Sequence, residues 1–227
     1  PLVHTLAEGF SIVVGFSIFL FAWNSRRFLK TDYFLFLGIA YLATAGLDSL
    51  HTLAYKGMGV FPDDDANLPT QLWLAARYVQ SGALLIGPIF LRYPLNPRVA
   101  IACFGAITAA FIALIFGGLF PVAYVEGEGL TLFKRASELW IVLALFGAGW
   151  AHLRRREVFP PGVFALIIGS IALTIVSELM FTLYFSVYDF FNVVGHFLKI
   201  IAFYLIYKAV LETGLVRPFD LLFRDLE

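Results

Sequence analysis

Nine ionisable side chains stand in, or at the ends of, strongly apolar runs of this sequence: His4, Glu8, Asp48, His51, Arg77, Glu138, Glu178, His196 and Lys199. Their types and spacing admit three chemistries. His4 and Glu8 lie four residues apart and Asp48 and His51 three apart, so on a helix each pair shares a face. Imidazole beside carboxylate suits zinc or another first-row transition metal, with His4, Glu8, His51 and His196 as the candidate ligands. His51 and His196, on different segments, could instead ligate one haem axially if a roomy apolar slot separated them. Arg77 and Lys199 could bind a carboxylate or an anionic headgroup. The candidate ligand-binding set is therefore Glu8, Asp48, His51, Arg77, Glu138, Glu178, His196 and Lys199.

These residues must be positioned by membrane-spanning helices. The chain has 227 residues, 60% hydrophobic and 14% charged, against about 25% charged in an ordinary soluble domain. A span needs about 20 apolar residues. Apolar runs between polar breaks predict seven: 2–23, 31–54, 69–92, 98–120, 131–152, 162–183 and 190–213. The expected fold is an all-α polytopic membrane bundle of seven transmembrane helices. The zero net charge gives no case for nucleic acid as a partner. The single cysteine, Cys103, sits in an apolar run and reads as a small buried hydrophobe.

Basic residues set the expected orientation. One set of helix ends carries Arg26, Arg27, Lys30, Arg92, Arg98, Arg154, Arg155, Arg156, Arg217 and Arg224. The other carries Lys56, Lys134 and Arg135 together with the acidic loops around Asp63-Asp64-Asp65 and Glu126. The positive-inside rule then puts the amino end outside and the carboxyl end in the cytoplasm, with the nine ionisable residues in the outer halves of their helices. Lys208, near the inner interface, snorkels.

Helical spacing groups the polar residues into faces: His4, Glu8 and Ser11; Tyr41, Thr44, Asp48, His51 and Tyr55; Thr70, Trp73, Arg77 and Ser81; Ser170, Thr174, Ser177 and Glu178; His196, Lys199, Phe203 and Tyr207. Each face must turn into the bundle or a wet cavity, because hydrocarbon cannot solvate it. Mutual neutralisation, Arg77 and Lys199 against Asp48, Glu138 or Glu178, accounts for single residues. Carboxylates and histidines gathered on one side of the bilayer point collectively to a ligand or ion site. Arg77-Tyr78-Val79-Gln80 resembles the helix-3 stretch of microbial rhodopsins, but a retinal-binding reading of Lys199 fails on charge, because Gln80 and Gly195 stand where those proteins carry acids. No phosphate loop, nucleophile elbow or metal-hydrolase motif is present, so the chain is expected not to be an enzyme itself.

The stretches Ala22-Trp23-Asn24-Ser25-Arg26, Gly38-Ile39-Ala40-Tyr41-Leu42, Leu47 to Met58 (LDSLHTLAYKGM), Asn67-Leu68-Pro69-Thr70-Gln71-Leu72-Trp73 and Ala76-Arg77-Tyr78 together resemble the third family of bacterial membrane-associated sensor (MASE) domains. So do Ser177-Glu178, Phe181-Thr182-Leu183-Tyr184, Gly195-His196 and Phe203 to Lys208 (FYLIYK), over nearly the whole chain and in matching order. The resemblance implies an all-helical membrane input module placed ahead of a histidine kinase, PAS or diguanylate cyclase output domain. It names no ligand, but its motifs overlap the polar cluster.

The expectation is thus a sensory input domain in the bacterial inner membrane, with the sensor at 1–213 and a cytoplasmic exit segment at 214–227 leading to an output domain. The partners are the lipid bilayer, a small ligand or ion, the fused output domain and a second copy in a homodimer. A ligand reaching the outer half biases two helix arrangements, and helix 7 transmits the change. The alternatives are a haem- or metal-binding redox protein using His51 and His196, and a small transporter.

Overall fold

A computed structural model describes residues 2–61, 65–183 and 190–216. Among the described residues, seven helices are long and apolar enough to cross a membrane: α1 (Leu2–Ser25), α2 (Tyr33–Leu53), α3 (Asn67–Ile86), α4 (Pro97–Phe116), α5 (Leu132–Leu153), α6 (Pro161–Leu183) and α7 (Phe190–Leu211). A 3₁₀ turn, Gly87–Leu91, extends α3, and the π-helical segment Glu212–Val216 extends α7. The exit segment beyond residue 216, with Arg217 and Arg224, lies outside the described residues. So do Asp63 and Asp64 of the acidic loop and Tyr184 of the sixth-helix motif.

Local chemistry sets the helix ends. Asn96 caps α4, its side chain accepting from the amides of Arg98 and Val99, with Pro97 in the first turn. Pro is pre-organised there and its missing N–H costs nothing. Thr131 caps α5 by accepting from the Lys134 amide, and Asp65 Oδ1 takes the amides of Asn67 and Leu68 at the start of α3. That cap starts α3 two residues before the expected 69. Asp32 accepts from the Leu95 amide at 2.8 Å instead of extending the helix, so α2 starts at 33 rather than 31. The fourth span was expected to reach 120 but stops at Phe116. Gly118 takes a positive φ of 70° there, a conformation only glycine adopts freely.

Six helices close a ring in the order α1, α2, α3, α5, α6, α7, with α7 returning against α1; α4 packs outside, on α2 and α3. α4 carries no charged residue beyond its first turn, and only Ala100 and Ile115 on it are buried. Cys103, expected to be buried, is exposed on this helix, because a helix outside the ring has one narrow packed stripe. Its apolar residues face lipid at no cost.

The segment between α4 and α5 folds back as a two-residue antiparallel hairpin, Tyr124–Val125 with Gly129–Leu130. Gly127 and Gly129 supply the positive φ values of its turn. Asn67 Oδ1 accepts from the amides of Ala123 and Tyr124, and Gln71 Nε2 donates to the carbonyls of Phe120 and Pro121. The loop is thereby fastened over the first turn of α3.

The ring interior divides along its axis. At the end where α1 begins lie the ionisable residues. The middle is apolar, filled by Ile18, Leu37, Leu145, Ile167 and Ile206. Toward the far end, where Arg26, Arg27, Arg92, Arg98 and Arg154 gather, one buried polar pair appears that sequence reasoning passed over. Tyr33 hydroxyl and His152 Nε2 are 2.7 Å apart, and His152 Nδ1 lies 2.7 Å from the Ala148 carbonyl. A carbonyl only accepts, so Nδ1 carries the proton and Nε2 accepts from Tyr33. The pair fastens α2 to α5 across the ring.

The α1–α2 contact depends on one missing side chain. A Cβ on Gly38 would lie 2.7 Å from Ala22 Cβ, closer than packed carbons tolerate. Gly38→Ala is expected to cost about 1–3 kcal/mol in reversible unfolding from mixed detergent micelles. Gly82→Ala, with nothing within 4 Å of the added carbon, should leave stability unchanged or raise it by up to about 1 kcal/mol.

Candidate functional site

The polar residues form two layers. In the deeper layer Arg77 holds the centre. It is the eleventh residue of the span Asn67–Leu91, roughly 15 Å along the helix axis from the span's first residue. Arg77 Nη2 donates to both carboxylate oxygens of Asp48, at 2.8 and 2.7 Å, and Nη1 donates to Gln80 Oε1. Gln80 Nε2 in turn reaches the Tyr41 hydroxyl at 3.4 Å. Lys199 Nζ lies 3.0 Å from Asp48 Oδ2 and 2.6 Å from Glu8 Oε2. Glu8 Oε1 lies 2.8 Å from His196 Nδ1.

A single chain of polar contacts therefore runs His196–Glu8–Lys199–Asp48–Arg77–Gln80–Tyr41, through α7, α1, α2 and α3. All of its members are buried. The Trp73 ring covers it on the side of the cavity, with the Arg77 guanidinium and the Lys199 ammonium each 4.7 Å from a Trp73 ring centroid. Phe203 takes both cations from another side at 5.6 Å. Desolvated cations gain most from such ring faces.

Glu138 and Glu178 do not join this chain directly. Glu138 pairs with Lys134 one helical turn earlier on α5. Lys134, read from the sequence as an interfacial loop cation, is fully buried. The signal was present, since a lysine four residues from a glutamate shares its face. Glu178 faces Arg77, Lys134 and Lys199 at charge–charge range, but its Oε2 has no hydrogen-bond partner among the described residues.

The upper layer consists of rings. His4 Nε2 and His51 Nε2 are 3.2 Å apart, and His51 Nδ1 lies 2.7 Å from the Pro69 carbonyl. His4 stacks on Tyr55 with centroids 3.6 Å apart. It meets His196 edge-on at 4.7 Å. Trp73, Phe181 and His196 complete the wall of a small cavity of about 40 Å³, with Lys56 and Lys134 also lining it. It holds no more than a few waters. Of the expected ligand set only His51 and His196 line this cavity; Glu8, Asp48, Arg77, Glu138, Glu178 and Lys199 lie in the layer beneath.

The haem arrangement expected for His51 and His196 does not fit. The His4 ring packs against both, with centroids 5.2 and 4.7 Å away, and the cavity is far too small for a porphyrin. Asp48 and His51, expected as a possible metal pair, part company: Asp48 turns to Arg77 and Lys199, and His51 turns to His4. His4, Glu8 and His196 do come together, each offering a ligand atom within 4.8 Å of the other two.

Breaking the central pair on one side strands a charge in a low-dielectric interior. Asp48→Ala is expected to destabilise the bundle by about 3–5 kcal/mol. The double variant Asp48→Leu/Arg77→Met should recover most of that loss, because no buried guanidinium is left over and Lys199 keeps Glu8. Unfolding in mixed micelles measures both, and a double variant no more stable than Asp48→Ala would show that the pair is not the energetic unit.

Comparison with curated proteins and with solved structures finds no match. The family of the membrane-associated sensor domain, MASE3, matches residues 1–218. That match spans all seven helices and both layers of buried polar residues. This chain therefore belongs to the MASE3 family of membrane-associated sensor domains.

Proposed function

We propose that this multi-pass membrane domain detects a ligand at the end of the bundle where His4, His51 and His196 meet, and passes the event to an output domain through α7. The observation that carries this reading is the position of Lys199. It sits on α7, held between Glu8 of α1 and Asp48 of α2, directly beneath the wall of the cavity. A ligand that draws on Glu8 or His196 changes what Lys199 can bind, and so the energy of α7 against α1 and α2. Differential affinity for two arrangements is all that a sensor requires.

The basic helix ends support an amino end outside and a carboxyl end in the cytoplasm, which puts the cavity on the outer side of a bacterial inner membrane. Residues 214–227 then form the cytoplasmic exit toward a histidine kinase or diguanylate cyclase domain, in a homodimer. The domain supplies the signal and the attached domain the catalysis. Transport is the weaker reading, because the apolar layer of Ile18, Leu37, Leu145, Ile167 and Ile206 interrupts any polar path between the two ends.

Joining the chain at its carboxyl end to a diguanylate cyclase and following the cyclic dinucleotide in cells tests the reading. Lys199→Met and Glu8→Gln should each shift output by about 5-fold or more, while Cys103→Ser on the lipid-facing α4 leaves it unchanged. Unaltered output from both site variants, at normal membrane levels, would sink it.

A further inference from the structure

His4 Nδ1, buried in the upper layer, has no hydrogen-bond partner among the described residues, and beside it Glu8 Oε1 and His196 Nδ1 face one another as an ion pair. They belong to the three residues that offer ligand atoms within 4.8 Å of one another. Glu8 Oε1 and His196 Nδ1 are 2.8 Å apart, an ion-pair contact within the same cluster. Orphaned polar atoms in a buried site call for an explanation. A buried imidazole nitrogen without a partner, beside a carboxylate and a second imidazole, is a donor set that an ion would complete.

The tautomers agree. The Pro69 carbonyl can only accept, so His51 carries its proton on Nδ1 and presents a lone pair at Nε2. His4, 3.2 Å from that lone pair, then donates from its own Nε2. This leaves the lone pair of His4 on Nδ1, the orphaned atom. Metal-ligating histidines are characteristically held this way, the far ring nitrogen donating to a fixed acceptor. Here His51, itself anchored on Pro69, is that acceptor.

Charge points the same way. Glu8, Asp48, Glu138 and Glu178 are the buried carboxylates among the described residues, and Arg77, Lys134 and Lys199 the buried cations. With neutral imidazoles the cluster is one positive charge short.

We infer that His4 Nδ1, Glu8 Oε1 and His196 Nδ1 bind a first-row divalent cation of the zinc class, with a further coordination position open to the cavity. The donor set of two imidazoles and one carboxylate suits such an ion. His51 positions His4 and is not itself a ligand. The inference rests on the sensor reading only for its consequence: a cation on Glu8 Oε1 weakens the hold of Oε2 on Lys199 and favours the Lys199–Asp48 contact, so the ion is the stimulus.

The full chain, purified in detergent and stripped with a chelator, is titrated with Co²⁺ as a coloured stand-in for Zn²⁺. One equivalent should bind and develop the visible bands of a low-symmetry site, and Zn²⁺ should bleach them. His4→Ala and His196→Ala should each weaken binding by at least ~10-fold, and His51→Ala should weaken it while leaving the wild-type band shape. Thermal unfolding supplies a second readout: Co²⁺ raises the midpoint of the wild type but not of folded His4→Ala. Substoichiometric binding by the wild type, or equal binding by the His4 and His196 variants, overturns the site. In the cyclase fusion, Zn²⁺ should alter output. Binding without a change in output overturns the ion as stimulus, whereas Lys199→Met altering output without any metal binding leaves the sensor reading standing and removes the metal.

Discussion

A carboxylate within hydrocarbon must find a cation, and in this chain Glu8 of the first helix finds Lys199 of the last, 191 residues away. A chain of buried polar contacts is built on that pairing. Lys199 has a second carboxylate within reach, Asp48, which Arg77 holds from the other side. Trp73 and Phe203 give both cations ring faces where water is excluded. The ring of helices closes because α7 has to lie against α1 for the charges to meet. The apolar packing beneath, Ile18 and Ile206 among it, then follows the same closure. Hydrophobic burial gives no comparable drive in lipid, where tails are as apolar as side chains.

The network is shared rather than paired, and sharing makes it suitable for switching. Lys199 contacts two acceptors from two helices, and Glu8 contacts two residues of one. Such groups can redistribute their contacts without any charge becoming unpartnered, which is what the proposed sensing requires of them. An isolated pair such as Tyr33 with His152 has no such freedom and works as a fastener. The bundle thus has one end of shared polar contacts and one of a single paired contact, separated by a packed apolar layer.

Much of this was legible in the residues. Hydropathy located seven spans. The three- and four-residue spacings assigned His4, Glu8, Asp48, His51, Arg77, Glu178, His196 and Lys199 to inward faces, and all are buried. Periodicity stops at the face, however; it does not say which faces meet or at what height. That His4 would stand between His51 and His196, excluding a haem, depends on how far α1 is shifted along α2 and α7. Lys134 was hidden by position: near a helix end a lysine reads as interfacial, and only its register with Glu138 turns it inward. His152 was hidden likewise, one residue before the end of α5 and beside three arginines. Cys103 misled because an apolar run looks the same inside a ring and outside it.

The pairing of the first helix with the last has a consequence for how the protein is made. A chain entering the bilayer helix by helix delivers Glu8 on α1 and its ammonium partner only six helices later, on α7. Until then the carboxylate waits protonated, at the interface, or beside a temporary neighbour. Asp48 and Arg77 can meet as soon as α3 arrives, so the α2–α3 hairpin is self-sufficient early. α1 is not, and it must remain loosely associated while four further helices are synthesised. Assembly is therefore completed from the carboxyl-terminal side, and a chain interrupted before α7 leaves a charged first helix with no settled place in the membrane, a recognisable mark for quality control.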